Sequence, residues 1–374
     1  MTAFRAALFS FVALSALTAS SSGWADPVAT AQGQALGFTI TNFATINSGN
    51  TGLGVSGITA INGNIGVLNS LNGAAYIFSD TNNQTPSGAL FTTQFNGASA
   101  NMISNQPVSN GALAGGYNAA TSQNGINLLS YSSGTFSNQE LVANLSPNSM
   151  FGFGTSVVSS ASVFSSTGSF VATDMVGFNK AATAISPEAY NILSNPTGAG
   201  TYYSAMAGYG SSAVLGLNSG TVSVLNIFGD PAYAGASFNV GQTFYEPGFP
   251  GDGTNIMMNG ISGPISSSNS AINGDYLIAG GISGMNSSGI DLFDPTTGAF
   301  TPLATGGNEL MAITFDPATN SYLVGGSNNI YRISFNQVPE PPSILLLGFG
   351  AIALGAARSR RARRAFSLVK SHLG

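Results

Sequence analysis

The sequence predicts an all-β protein, and three observations carry that expectation. From about Phe38 to Phe335, short runs rich in β-branched and aromatic residues are separated by Gly/Asn/Ser turns. Helical periodicity is weak over the same span. A strand-like run ending in a double glycine recurs along the chain. Short strands with dense turn signals favour a sandwich, a barrel or a propeller.

Taken in order, residues 1–25 read as a secretory signal peptide. Arg5 supplies the positive start, and Ala6 to Leu17 is an apolar run too short to span a bilayer. Gly23 and Ala25 place small residues at the −3 and −1 positions, so cleavage is expected after Ala25. The alternative is an uncleaved anchor.

The body, residues 26–337, then runs through segments such as Ala74–Phe78, Ser169–Thr173 and Val222–Leu225. Its best helix candidate is short: Ser186 as N-cap, Pro187 at the first position, then Glu188 to Leu193.

Internal repetition is the most informative feature of the body. Leu113-Ala114-Gly115-Gly116 recurs as Ile278-Ala279-Gly280-Gly281 and again as Leu323-Val324-Gly325-Gly326, the last two about 45 residues apart. Gly125–Leu128 matches Gly289–Leu292, and Ser132–Phe136 matches Thr296–Phe300. In the best copy a strand ends at Gly280-Gly281, where missing Cβ atoms permit close backbone approach or positive φ. A second strand, Ile290–Phe293, leads into the turn Asp294-Pro295-Thr296-Thr297-Gly298. There Asp bonds its own backbone, Pro presets φ and Gly closes the turn. Asp316-Pro317-Ala318-Thr319-Asn320 repeats that turn.

The double glycine, the Leu292-Phe293-Asp294-Pro295 step and the aromatic Phe300 resemble a kelch-type propeller blade. Phe293 stands where that family has Tyr and Phe300 where it has Trp, and only residues 276–303 match well. The resemblance implies a β-propeller; at about 40–50 residues per blade the body would hold six or seven. A β-helix or a β-sandwich built from the same turns is the alternative.

The chain closes with Val338-Pro339-Glu340-Pro341, an apolar stretch from Pro342 to Ala357, and Arg358, Arg360, Arg361, Arg363 and Arg364. At helical rise the apolar stretch spans about 24 Å, short of a hydrocarbon core of about 30 Å. The arginines should stay cytoplasmic, leaving the body on the far side. Within this tail, residues 338–374, the stretch 338–364 resembles the PEP-CTERM sorting signal of exported Gram-negative proteins, whose implied partner is the membrane enzyme exosortase. The resemblance further implies export through the Sec translocon, a transient membrane anchor, and an association with exopolysaccharide or biofilm matrix. A simple C-terminal anchor is the blander reading.

Composition sharpens what the body can do. At 43% hydrophobic it can build a core, but only 6% of the chain is charged, far below the usual quarter. Six of the nine basic residues lie in the tail, counting Lys370, and Arg5 lies in the leader. That leaves Lys180 and Arg332 against 13 carboxylates in the body, a net charge of −11. Nucleic acid is excluded as a partner, because nothing there can neutralise a phosphate backbone.

Catalytic chemistry is similarly narrowed. There is no cysteine, and the one histidine, His372, lies beyond the apolar tail segment. A Ser-His-Asp triad, a thiolate nucleophile and a His- or Cys-held metal are therefore ruled out for the body. Paired carboxylates remain the route to polysaccharide hydrolysis or elimination, with Glu246, Asp252 and Asp275 in or beside glycine-rich loops. Asp291 reads as an outward, solvated strand residue, and Asp294 as a turn former. Calcium is the one cofactor option, since Asp in Gly/Asn loops suits a hard cation. No complete calcium loop occurs, and Asp252 between Gly251 and Gly253 reads as a structural turn. Phe151, Phe153, Tyr202 and Tyr203 could stack on sugars, with strand-face packing the default. The expectation is a non-enzymatic envelope or extracellular binding protein, with a polysaccharide hydrolase or lyase and a β-helical adhesin as alternatives.

Overall fold

The computed structural model describes residues 26–46, 54–69, 74–94, 111–118, 123–132, 134–143, 145–153, 156–164, 170–179, 190–192, 203–209, 212–217, 221–228, 236–245, 257–281, 288–307 and 312–336, together with Asp230, Tyr233 and Leu310. The leader with Ala25 and the whole tail, from Val338 through Arg364, lie outside them. So do Lys180, Glu246 and Asp252.

Among the described residues the strands form six antiparallel sheets, the first four meanders in chain order and the last two each joined by a strand from the N-terminal segment. The first contains Val55–Ile61, Asn64–Asn69, Ala74–Ser79 and Phe91–Gln94, and the second Gly111–Asn118, Gln123–Ser132 and Thr135–Ala143. Leu145–Phe153, Ser156–Phe164, Phe170–Asn179 and Tyr190–Ile192 make the third, and Tyr203–Tyr209, Ser212–Leu217, Thr221–Phe228 and Ser237–Tyr245 the fourth. The fifth holds Met257–Ser262, Tyr276–Gly281, Ser288–Phe293 and Phe300–Thr305, with Val28–Ala29 added at its outer edge. The sixth joins Ala312–Asp316, Ser321–Gly325 and Asn329–Phe335 to the N-terminal strand Phe38–Thr45.

The first strand of each sheet packs against the next sheet, and Ala312–Asp316 of the sixth returns against Val55–Ile61 of the first. The fold is therefore an all-β propeller, and the β-helix and sandwich alternatives do not describe it. Its ring is closed by both chain ends: Phe38 pairs with Phe335 and Thr45 with Asn329 across one sheet. The Asp26 carboxylate accepts from the Tyr331 hydroxyl at 2.7 Å, tying the start of the body to the same sheet. Pairing both ends in one sheet removes the free edges that an open ring would expose.

The core lies between sheets. One cluster joins the fifth and sixth sheets through Leu277, Ile290, Leu292, Leu303, Ile313, Val324 and Ile333. A second joins the first and sixth through Phe43, Val55, Ile58, Val67, Phe78 and Leu323. Because both faces of a sheet are covered by its neighbours, strand alternation no longer separates core from solvent. Asp291 shows the consequence: expected on a solvated face, it is 6% exposed. The helix expected at Ser186–Leu193 is also corrected, since Tyr190–Ile192 is a strand paired with Val176–Phe178.

The junction of the first and sixth sheets holds the body's buried cation. Arg332, 8% exposed, ion-pairs with Asp316 at 2.9 Å and with Asp80 on the neighbouring sheet. Its guanidinium also bonds Ser321 and Thr319, and lies 5.1 Å from the Phe43 ring centroid. One of the two body cations is thus spent inside the fold.

Candidate functional site

The N-terminal segment builds one wall of a cleft on the fifth sheet. Val28 and Ala29 pair with Thr305 and Ala304, and the Thr30 amide donates to the Leu303 carbonyl at 2.9 Å. Thr30 then caps the one-turn helix Ala31–Ala35: its hydroxyl accepts from the Gly33 amide at 2.9 Å and donates to Pro302 at 2.6 Å. Gly33 lies so close to Leu303 that a Cβ there would overlap its carbonyl oxygen. Only glycine lets the helix seat this deeply, and that seating presents Gln32, Ala35 and Leu36 to the cleft.

A braced loop forms the second wall. Ile265 and Ile272, both buried, anchor residues 265–275 in the core. The Ile265 amide donates to Asp275 at 2.8 Å, and the Gly274 amide donates back to Ile265 at 2.9 Å. Asn273 and Asn269 accept from the Ser267 and Ala271 amides, each at 3.0 Å. These bonds hold Ala271 and Asp275 on the cleft without regular secondary structure.

The floor and third wall come from the hairpin of the best repeat copy: Leu292, Asp294, Ala299 and Thr301. Here Asp294 Oδ1 accepts from the Thr296 amide at 2.8 Å, its other oxygen accepts from the Thr297 hydroxyl at 2.5 Å, and Gly298 has φ +76°. Phe300 packs on Phe293 with ring centroids 4.9 Å apart, and Phe293 meets Phe244 of the fourth sheet at 5.5 Å. The resulting cleft encloses about 350 Å³.

Its electrostatics are one-sided. Asp275 is pushed up to about 6 by burial and then by the negative charge of Asp294. Burial also acts to raise Asp294, but the Thr297 hydroxyl and the Thr296 and Thr297 amides outweigh it and hold the group below the usual carboxylate range. Among the described residues no basic side chain lines the cleft. Two carboxylates with acidities driven apart is a pattern suited to acid/base work or to holding a donor-rich ligand.

The raised Asp275 has a consequence for stability. A folded-state pKa above the unfolded 3.8 means that the group's favourable contribution is complete below about pH 4. That contribution is lost as pH rises through about 6. The full shift would be about 3 kcal/mol for a sealed site, and solvent access reduces it to about 1 kcal/mol. D275N should therefore raise the melting temperature at pH 7.5 by a few degrees and leave it unchanged at pH 4, measured by calorimetry.

The other repeat residues fall outside the cleft. Gly280 and Gly281 end the second strand of the fifth sheet, and Gly325 ends that of the sixth with Gly326 following it. Gly115 and Gly116 lie within the first described strand of the second sheet, opposite Ile126 and Gly125. A Cβ on Gly325 would overlap Val55 of the neighbouring first sheet, so this glycine serves close approach between sheets. Of the three carboxylates in or beside glycine-rich loops, Asp275 lies in the cleft, with Asp294, while Glu246 and Asp252 fall outside the described residues. Gln32, Leu36 and Thr301 carried no sequence signal; the cleft joins segments up to 270 residues apart.

Residues 337–361 match the family model of the PEP-CTERM protein-sorting motif. No curated protein matches the chain. Among solved structures, an auxiliary nutrient binding protein from Bacteroides thetaiotaomicron is similar at 10% identity with a TM-score of 0.53, covering 79% of this chain and 76% of its own. The WD40 β-propeller domain of Doa1 is similar at 10% identity and a TM-score of 0.45, covering 80% of this chain and 98% of its own. The chain carries a PEP-CTERM sorting tail on a propeller body, and that tail implies export, a transient membrane anchor and processing by exosortase. Among the described residues no helix is long and apolar enough to cross a membrane.

Proposed function

We propose that this protein is a non-enzymatic binding or structural module of the cell envelope or extracellular matrix, engaged with exopolysaccharide once exosortase has processed it. The observation that carries the reading is the pairing of a sorting tail at 337–361 with a closed propeller body. In this account the leader 1–25 enters the Sec translocon and is removed after Ala25. The arginines of the tail set topology in the membrane, and the body faces outward. The absence of cysteine, and of histidine from residues 26–337, supports binding over catalysis.

Deleting the gene in its own bacterium should thin or weaken the matrix. Purified body should also co-sediment with isolated exopolysaccharide. Wild-type matrix after deletion, together with no binding on a glycan array, would overturn the proposal.

The Asp275–Asp294 cleft favours a second reading, a carboxylate-dependent polysaccharide hydrolase or lyase. New reducing or unsaturated ends released by wild-type protein, and not by D275N, would establish it.

A further inference from the structure

Among the described residues no basic side chain compensates the negative charge of this cleft, and the body has only two cations in its sequence. Asp275 and Asp294 share the cleft, and among the described residues Asp294 is the charged group that faces Asp275 within it. Arg332 is held in its own ion pairs at another sheet junction. An anionic ligand would meet two carboxylates here and a body of net charge −11. The site therefore excludes uronate-, sulfate- or phosphate-bearing glycans by charge.

The occupant also has to match the shape. At about 350 Å³ the cleft has the size of a small organic ligand site, far larger than a bare ion needs. Among the described residues no group of three or more acidic, His or Cys side chains is placed to hold a metal. The walls combine an apolar surface from Ala35, Leu36 and Ala271, over the buried Leu292, with Gln32, Thr301 and the two carboxylates. An apolar surface beside acceptors suits a ring with a hydrophobic face and donors on its rim. An ammonium group on that ring would compensate the carboxylates.

We infer that this cleft binds an amine-bearing sugar unit of a cationic polysaccharide, with Asp275 and Asp294 receiving the ammonium group and Ala35, Leu36 and Ala271 lying under the ring. The inference rests on the proposal that the body engages extracellular polysaccharide, and it names the chemical class.

The ionisation of Asp275 then sets a pH threshold. The amine stays protonated in acid, so loss of binding as pH falls through about 6 reports on this carboxyl. Asp294 stays ionised over that range, because its turn hydrogen bonds favour the charged form.

The test is calorimetric titration of the purified full body with chitosan hexasaccharide at about pH 6.8 and about pH 4.5. Maltohexaose, hexaguluronate and spermine are the comparison probes. Binding is expected at the higher pH, with at least tenfold loss at the lower one. D275N should weaken binding about tenfold or more at about pH 6.8. A299W, which fills the cleft from an exposed position, should abolish it while melting like wild type.

Equal affinity for maltohexaose or spermine would overturn the inference by showing that the site reads hydroxyls or charge alone. Binding that survives both substitutions would place the glycan elsewhere and sink this site, leaving the broader polysaccharide reading intact. Binding of hexaguluronate would contradict the charge argument. If no oligosaccharide binds and the isolated matrix does not co-sediment, both readings fail together.

Discussion

Arg332→Met should destabilise the protein by about 3–5 kcal/mol, the cost of leaving buried carboxylates without their counter-charge. Against a total stability of about 5–15 kcal/mol that is enough to unfold much of the population at physiological temperature. The effect is large because Arg332 is the shared partner of Asp316 on its own sheet and Asp80 on the first. Burial already raises the Asp80 carboxyl above its ordinary value, and the ion pair with Arg332 opposes that rise. Adding Asp80→Asn to Arg332→Met should recover part of the loss, since a neutral amide is cheaper to bury than a carboxylate. Urea melts of the wild type and these two variants check this. A loss under about 1 kcal/mol for Arg332→Met would mean that water solvates the cluster.

Removing residues 26–46 should be more damaging still, because it takes away the strand that closes the ring. Phe38, Phe43, Ala44 and Ile46 leave the core together, and Asn329–Phe335 becomes an open edge. A chain starting at residue 47 is expected to show no cooperative thermal transition, and a synthetic peptide of residues 26–46 should restore one. Phe43→Ala is the graded version, with an expected loss of about 3–5 kcal/mol. That ring is fully buried, meets Phe78 edge-on at 6.3 Å and lies beneath the Arg332 guanidinium. A truncated chain that melts cooperatively at the full-length temperature would show that the ring does not depend on its N-terminal strand.

These two sites also mark where sequence reading stops. The Asp294–Gly298 turn was legible because its hydrogen bonds run between residues two and three apart. The propeller was legible because strand runs, turns and the repeated double glycine are local signals. Ring closure was not, since Phe38 finds Phe335 across almost the whole body. Asp291 misled for a physical reason: outward on a sheet means solvent only when nothing covers that face, and here a neighbouring sheet does. Ser186 and Pro187 carried good helix-start signals, yet Tyr190–Ile192 took the open edge of the third sheet instead. Edge pairing with Val176–Phe178 outweighs a weak local propensity. Arg332 was visible only as one of two body cations, with nothing local to say that it was buried.

The cleft was the least legible feature. Its walls come from residues 32–36, 271–275 and 292–301, and no pattern within any one segment announces the others. Gly33 is the nearest to a signal. A glycine in the middle of a short helix is unfavourable unless something approaches closely, and here Leu303 does. The site therefore follows from ring closure: the segment that delivers Phe38–Thr45 to the sixth sheet also forms the wall over the fifth.

We propose that the propeller is delivered to the cell exterior by its two ends and then freed of them. Intact mass spectrometry of the protein recovered from outside the cell tests it most directly, comparing bacteria with and without exosortase. The account predicts a chain beginning at Asp26 and ending close to the Pro339-Glu340-Pro341 hinge in the first strain, with the tail retained at the membrane in the second. Recovery of the same full-length chain from both strains, leader and arginine cluster included, would contradict it.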